Sequence, residues 1–185
     1  KLVYEDKTNP DLSWSINVPE NGSYRILTIG EGTDERNFVS ISLDTSLEFI
    51  PVIDEFEASY RFLGGNESTL WFFSNHNAPN GKILSLQIDD QNFKWSELIA
   101  EKDFPISTAS IAGDKLIINY LKDTISKVQF YNLKGDFLEE LDFEGQGSLS
   151  GFNGKLGNSI SYFEFSNFTS PQKIYELNLD SLDYK

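Results

Sequence analysis

The chain has 185 residues, a formal net charge of −14, 14% aromatic residues and no cysteine. The lack of cysteine excludes a disulfide framework and thiolate chemistry. Because a surface this acidic repels phosphate backbones, and no basic stripe is interleaved with aromatic residues, we expect no nucleic-acid partner.

Neither a membrane nor a secreted location is indicated by the sequence. No apolar run approaches the ~18 residues of a membrane helix, and no signal peptide opens the chain. We therefore expect no membrane partner and a cytoplasmic location, with the periplasm as the alternative. The complete absence of methionine indicates a segment of a longer protein.

The predicted elements are all β-strands. A short strand at residues 2–5 comes first, and groups of four strands follow it. Asn21-Gly22 predicts the first hairpin turn, because Asn-Gly permits the positive φ that such a turn needs. In the first group the predicted strands are residues 13–18, 24–29, 39–43 and 47–52. The four groups cover residues 13–52, 58–99, 107–143 and 148–179.

The third strand of each group carries the clearest signal. These strands alternate or nearly alternate apolar and polar residues, and their last apolar residues are 45 or 46 positions apart: Leu43, Ile88, Leu133 and Leu179. Alternation with period 2 indicates a strand with one buried face. A repeat of roughly 40–50 residues made of short strands is typical of a β-propeller with one four-stranded blade per repeat. We predict one all-β domain over residues 1–185, a β-propeller of about four blades.

The last group lacks a clear fourth strand. We predict that residues 2–5 complete that blade, because an open array leaves unpaired strand edges that favour aggregation. Two alternatives stay open: two chains could pair into a larger ring as a homodimer, or the edges could be covered in a longer parent protein.

Six loop segments resemble those of prolyl oligopeptidases, the serine peptidases that cut short peptides after proline. The matches follow the family's order and spacing over nearly the whole chain. They are residues 28–37 (TIGEGTDERN), 53–60 (IDEFEASY), 73–80 (FSNHNAPN), 95–101 (WSELIAE), 119–123 (NYLKD) and 165–175 (FSNFTSPQKIY).

The resemblance implies a non-catalytic role. Family members join a seven-bladed propeller to an α/β-hydrolase domain with a Ser-Asp-His triad, and the propeller excludes large folded proteins from the active site. It implies that this chain is a part of such a propeller, that its partners are the hydrolase domain of the parent chain and short proline-containing peptides, and that it needs no cofactor. A stand-alone propeller that binds proteins through its loops is the alternative.

The resemblance also implies candidate positions for the substrate cavity. The region around Ser13 and the loop residue Thr33 align with cavity positions of the family. Gly30 aligns there too, but animal members carry an arginine at this position, so a direct charge contact is not implied.

Three further motifs favour structural roles. Gly147-Ser148-Leu149-Ser150-Gly151 matches the G-x-S-x-G nucleophile elbow, but no helical pattern follows it, and a triad needs a histidine downstream.

The single histidine, His76, lies upstream in a turn-rich loop, where we expect it to be solvated and not a metal ligand. We expect no metal site. The three tryptophans are expected to pack between blades, with a ligand groove as the alternative: Trp14, Trp71 and Trp95.

Overall fold

The computed structural model describes residues 2–20, 22–43, 48–89 and 92–185. These residues contain fifteen β-strands in four antiparallel sheets and no α-helix. None of the described segments could cross a membrane as a helix. The predicted turn residue Asn21 and Leu47, the first residue of a predicted strand, lie outside the described residues.

Within every sheet, strands that follow one another in sequence are neighbours, which is the meander order of a propeller blade. The first sheet contains β1 (Leu12–Asn17), β2 (Tyr24–Glu31), β3 (Asn37–Leu43) and β4 (Ile50–Ile53). The second contains β5 (Tyr60–Gly65), β6 (Thr69–Ser74), β7 (Lys82–Asp89) and β8 (Asn92–Ile99). The third contains β9 (Ile106–Ala112), β10 (Lys115–Lys122), β11 (Ile125–Asn132) and β12 (Phe137–Glu140). The fourth contains β13 (Ser148–Asn153), β14 (Ile160–Ser166) and β15 (Lys173–Asn178).

The chain divides into two compact units, and each has its own apolar core. The first unit is Lys1–Ala78 with Ile83–Glu97, and the second is Pro79–Lys82 with Leu98–Lys185. Alternation along the strands directs one set of side chains inward in each sheet. Buried members of the first core include Ile26, Val39, Ile41, Leu70, Phe72 and Leu86. Those of the second include Ile117, Val128, Phe130, Phe152, Phe163 and Leu177.

Residues 2–5 form no strand in the structure, so the prediction of a strand there is wrong. The ring of Tyr4 lies 6.0 Å from that of Trp14 and 6.0 Å from that of Phe49, measured between centroids. Contacts between aromatic rings at this distance remove a large apolar area from water. The segment therefore packs through its side chain against the first sheet instead of pairing through its backbone.

The chain's last residues pair with the free edge of β15. Leu177 and Tyr184 form an antiparallel bridge, and Glu176 and Lys185 exchange two backbone hydrogen bonds of 3.0 Å. The Tyr184 ring also packs 5.3 Å from the Phe143 ring. Residues beyond β15 thus pair where the fourth strand of the blade was missing from the sequence pattern. The pattern did not reveal them, because a single bridge is too short to show an alternation.

Candidate functional site

A cleft of about 450 Å³ lies between the first two sheets, within the first unit. The strands β1, β2 and β5 and the loop from β2 to β3 form its walls. Hydroxyl, amide and aromatic residues line it, among them Ser13, Ser15, Asn17, Thr28, Tyr60 and Phe62. The cleft therefore offers hydrogen-bonding groups beside aromatic surface, a combination found in sites that orient a ligand.

Two of the three predicted cavity residues meet in this cleft. Ser13 on β1 lies directly opposite Gly30 on β2, and its Oγ donates a long hydrogen bond of 3.4 Å to the Gly30 carbonyl oxygen. Both residues line the cleft. Thr33 is exposed in the turn that follows β2 and is not among the lining residues, although its neighbour Asp34 is.

The loop from β2 to β3 is held in shape by its own residues. Asp34 N donates to the Glu31 carbonyl oxygen over 3.0 Å, which closes a turn around Gly32 at φ 55°. Arg36 N donates to Asp34 Oδ1 over 2.9 Å. The Arg36 side chain also donates to the Asp34 carboxylate, from Nη2 over 2.6 Å and from Nε over 3.0 Å.

The pairing with Arg36 keeps the carboxylate of Asp34 ionised. Hydrogen bonds from the Arg36 side chain and backbone lower the pKa of Asp34 to about 2. The Arg36 guanidinium also lies 5.0 Å from the centre of the Phe56 ring, a cation–π distance. Asp34 is therefore ionised at neutral pH, and the positive charge of Arg36 balances its negative charge.

Asn37 joins the loop to the opposite wall of the cleft. Its Oδ1 accepts from Tyr60 N over 2.7 Å, and its Nδ2 donates to the Tyr60 carbonyl oxygen over 3.1 Å. Its backbone N donates to the Ala58 carbonyl oxygen over 3.1 Å. Because Asn37 is buried, these bonds are shielded from water and fix the spacing of the two walls.

His76 is half-buried, so the expectation of a solvated loop histidine is wrong. Its Nδ1 lies 2.9 Å from the Tyr60 hydroxyl, and its backbone N donates to Ser74 Oγ over 3.1 Å. Burial raises the pKa of Tyr60. Tyr60 lies 16 residues upstream of His76, and no local pattern connects the two. Among the described residues, no group of three or more His, Cys, Asp or Glu could hold a metal ion.

Two of the three tryptophans are held by packing, and the third lies on an open face of the first sheet. Trp71 is buried, and Trp95 packs 5.1 Å from Phe72 while its Nε1 donates to the Val52 carbonyl oxygen. Trp14 is 40% exposed, and because it alternates with Ser13 along β1 its ring lies on the opposite face of the sheet, beside Tyr4. Packing thus accounts for Trp71 and Trp95, and a ligand groove at Trp14 stays a prediction.

The G-x-S-x-G segment lies in an antiparallel strand. Ser150 on β13 pairs with Glu164 on β14, where a nucleophile elbow would require a turn into a helix. Both flanking glycines have structural reasons. A Cβ on Gly147 would collide with the Ser166 carbonyl oxygen, and Gly151 has φ 95° at a bulge in the pairing.

Known proteins resemble the chain over most of its length. The family model described as the prolyl oligopeptidase N-terminal β-propeller domain matches residues 1–184. A prolyl endopeptidase of Elizabethkingia miricola is 27% identical over 165 residues, which cover 89% of this chain and 23% of that protein. Prolyl oligopeptidase A of Galerina marginata is 28% identical over 182 residues, which cover 94% of this chain and 24% of that protein.

Solved structures show the same fold. A prolyl endopeptidase structure, from work on inter-domain dynamics in two such enzymes, matches with a TM-score of 0.88 and 27% identity over 95% of this chain and 26% of that chain. Ligand-free prolyl oligopeptidase B from Galerina marginata matches in fold with a TM-score of 0.91 and 18% identity. The match covers 100% of this chain and 28% of that chain. These likenesses confirm the predicted β-propeller class. The chain spans about a quarter of the length of these relatives.

Proposed function

Because the chain belongs to the prolyl oligopeptidase N-terminal β-propeller family, we propose that it is part of the propeller of a serine peptidase that cleaves short peptides after proline. The resemblance predicted from the loops is confirmed. The match of the propeller family model to residues 1–184 carries the proposal. In this proposal, the chain gates access to an active site and filters substrates by size.

A size filter needs only rigid walls around a narrow passage. An extended peptide strand occupies about 5 Å in the hydrogen-bonding direction, whereas a folded domain of ~100 residues has a radius of gyration of about 13 Å. The hydrogen bonds between Asn37 and Tyr60 fix two neighbouring sheets at a set spacing. Walls held in this way favour extended peptides over folded proteins.

The proposal assigns peptide hydrolysis to a partner, an α/β-hydrolase domain of the same polypeptide, which acts through Ser, His and Asp with an oxyanion hole. In this proposal the chain supplies none of the triad. Its one histidine, His76, contacts Tyr60, and the strand that carries Ser150 lacks the elbow geometry.

Two exposed apolar faces support the proposal that the complete propeller contains more blades than these four sheets. The face of the first sheet that contains Trp14 and Ile16 is partly open to solvent, at 40% and 43% exposure. In the fourth sheet, Ile160, Tyr162 and Ile174 lie exposed on one shared face. A neighbouring blade covers such faces in a longer array. A second copy of the chain, as in the homodimer left open above, is the alternative cover.

The test compares the full-length protein with the isolated 185-residue chain. We expect the full-length protein to hydrolyse a short proline-containing chromogenic peptide but not a folded protein, and a serine-directed inhibitor to stop the reaction. We expect no turnover by the isolated chain. Inhibitor-sensitive turnover by the purified chain, or cleavage of folded protein at the same rate as peptide, would contradict the proposal.

The stand-alone binding module would be supported if the coding sequence contains no hydrolase region and the chain captures a protein partner. A cytoplasmic location is likewise proposed, and fractionation of the source cells would check it.

A further inference from the structure

A second cavity, of about 630 Å³, lies between the third and fourth sheets, within the second unit. The turn from β10 to β11, the start of β13 and the loop after β14 form its walls. Cavities of this size bind small molecules or a few residues of a peptide. The cavity shares no residue with the cleft of the first unit.

The turn from β10 to β11 is strained where it meets the cavity. Lys122 pairs with Ile125, so the turn consists of Asp123 and Thr124 alone, and their φ angles are 50° and 67°. Such a two-residue turn suits Asn-Gly or Asp-Gly. Aspartate tolerates positive φ, but a branched Cβ does not, so threonine makes the turn less stable than glycine would. Strain of this kind is typical of binding sites, and the Thr124 side chain lines the cavity.

Asp123 makes the cavity negative. It is the one charged residue among those of the described chain that line the cavity, and no described cation forms an ion pair with it. The neighbouring Lys122 directs its ammonium group to the Phe104 ring, 5.5 Å from the ring centre. A cationic group on a ligand would therefore find an unpaired carboxylate in the cavity.

Phe168 adds an aromatic surface that is fully exposed to solvent. An aromatic face attracts a cation, and the planar guanidinium of arginine both stacks on such a face and bonds to a carboxylate through two N–H groups. Gln146, Ser148 and Ser166 also line the cavity. Their amide and hydroxyl groups can bond to the N–H and C=O groups of a peptide backbone.

We propose that this cavity binds an arginine-bearing segment of a peptide from solution. The guanidinium of the ligand pairs with the Asp123 carboxylate and packs on the Phe168 ring, while the Thr124 hydroxyl and the other polar groups bond to the peptide backbone. Charge complementarity favours this occupant, because the unpaired carboxylate belongs to a chain of net charge −14. The inference goes beyond the proposed function, since it requires no peptide hydrolysis.

The experiment is calorimetric titration of the full-length protein with two acetylated and amidated pentapeptides. Both consist of glycine and serine around a central residue, which is arginine in one and citrulline, with a neutral urea in place of the guanidinium, in the other. Neither contains proline, so a peptidase that cuts after proline leaves them intact. We expect the arginine peptide to bind at least about tenfold more tightly, the effect of a hydrogen bond between charged groups, and its affinity to fall with added salt.

Substitutions at the cavity identify the site. Asp123→Asn keeps a residue that tolerates positive φ but removes the charge, so we expect equal affinities for the two peptides. Phe168→Ala should weaken binding of the arginine peptide by about threefold. Asp180→Asn, which removes an exposed carboxylate from the turn after β15, is the matched control and should bind both peptides as the wild type does.

Thr124→Gly separates a binding role from a structural one. We expect it to raise the midpoint of thermal unfolding, because glycine relieves the strain, and to weaken binding of the arginine peptide by at least about threefold, because the side chain leaves the cavity. A higher midpoint with unchanged affinity would overturn the inference. So would a wild-type protein that does not bind the arginine peptide at ~1 mM, or an Asp123→Asn variant that still prefers it to the citrulline peptide.

Discussion

The side-chain amide of Asn37 takes the place of a neighbouring strand for the backbone of Tyr60. Both the N–H and the C=O of Tyr60 are bonded to this one amide, which belongs to the adjacent sheet. The second unit contains a related contact, in which Asn119 Nδ2 donates to the Leu149 carbonyl oxygen over 2.7 Å. A buried amide between successive sheets thus satisfies backbone groups that no strand reaches.

The Asn37 contact predicts a large loss of stability on substitution. We expect Asn37→Ala to lower the free energy of unfolding by about 2–4 kcal/mol, because two hydrogen bonds disappear and the backbone groups of Tyr60 stay buried without partners. Denaturant titration of the purified chain measures the change. Asn9→Ala, which removes an exposed amide, should change it by less than about 0.5 kcal/mol. Equal values for the two variants would contradict the prediction.

The ion pair of the loop predicts a specific titration. Because the pKa of Asp34 is about 2 in the folded chain against an ordinary 3.8, the contribution of this pair to stability is present above about pH 4 and is lost as the pH falls through about 2. We expect Arg36→Ala to raise the pKa of Asp34 toward its ordinary value, as followed by carboxyl NMR.

Asp6 is the matched control for this titration. Its pKa is also about 2, but hydrogen bonds from Thr8 and Asn9 cause that shift. It should therefore titrate identically in the wild type and in Arg36→Ala. A pKa of Asp34 that stays at about 2 in the variant would show that Arg36 is not the cause.

The G-x-S-x-G segment should respond to substitution as a structural element. Gly151→Ala forces alanine to φ 95° and places its Cβ 2.9 Å from the Tyr162 carbonyl oxygen, so we expect a loss of at least about 1–2 kcal/mol. Ser150→Ala should be nearly neutral in both stability and peptidase activity of the full-length protein. A loss of activity in Ser150→Ala at unchanged stability would instead restore the nucleophile interpretation.

The second core depends on a stack of aromatic rings. The fully buried Phe163 lies 4.8 Å from Phe152 and 5.2 Å from Tyr175, nearly parallel to both rings. We expect Phe163→Ala to cost about 3–5 kcal/mol, measured by chemical unfolding, because it leaves a cavity that the neighbours cannot fill. Tyr162→Ala, at the adjacent but exposed position, should cost far less. Similar losses for both would mean that the stack is not the main support of this core.

The candidate site shows how far pattern and resemblance extend. The resemblance predicted Ser13 and Gly30 as cavity positions, and the structure pairs them across the β1–β2 hairpin. Thr33, predicted in the same way, lies in the turn outside the cleft lining. The contribution of Asn37 was missed, because its partner Tyr60 is 23 residues away and belongs to another sheet.

Alternation and the 45- or 46-residue interval are local and periodic properties, so the sequence by itself determined that the chain folds into successive antiparallel sheets. The contacts of Tyr4 with Trp14, of His76 with Tyr60 and of Tyr184 with β15 were decided only by the tertiary structure. The physical reason is that periodicity fixes which face of a strand is buried. Which distant side chain lies against that face depends on how whole sheets and chain ends pack.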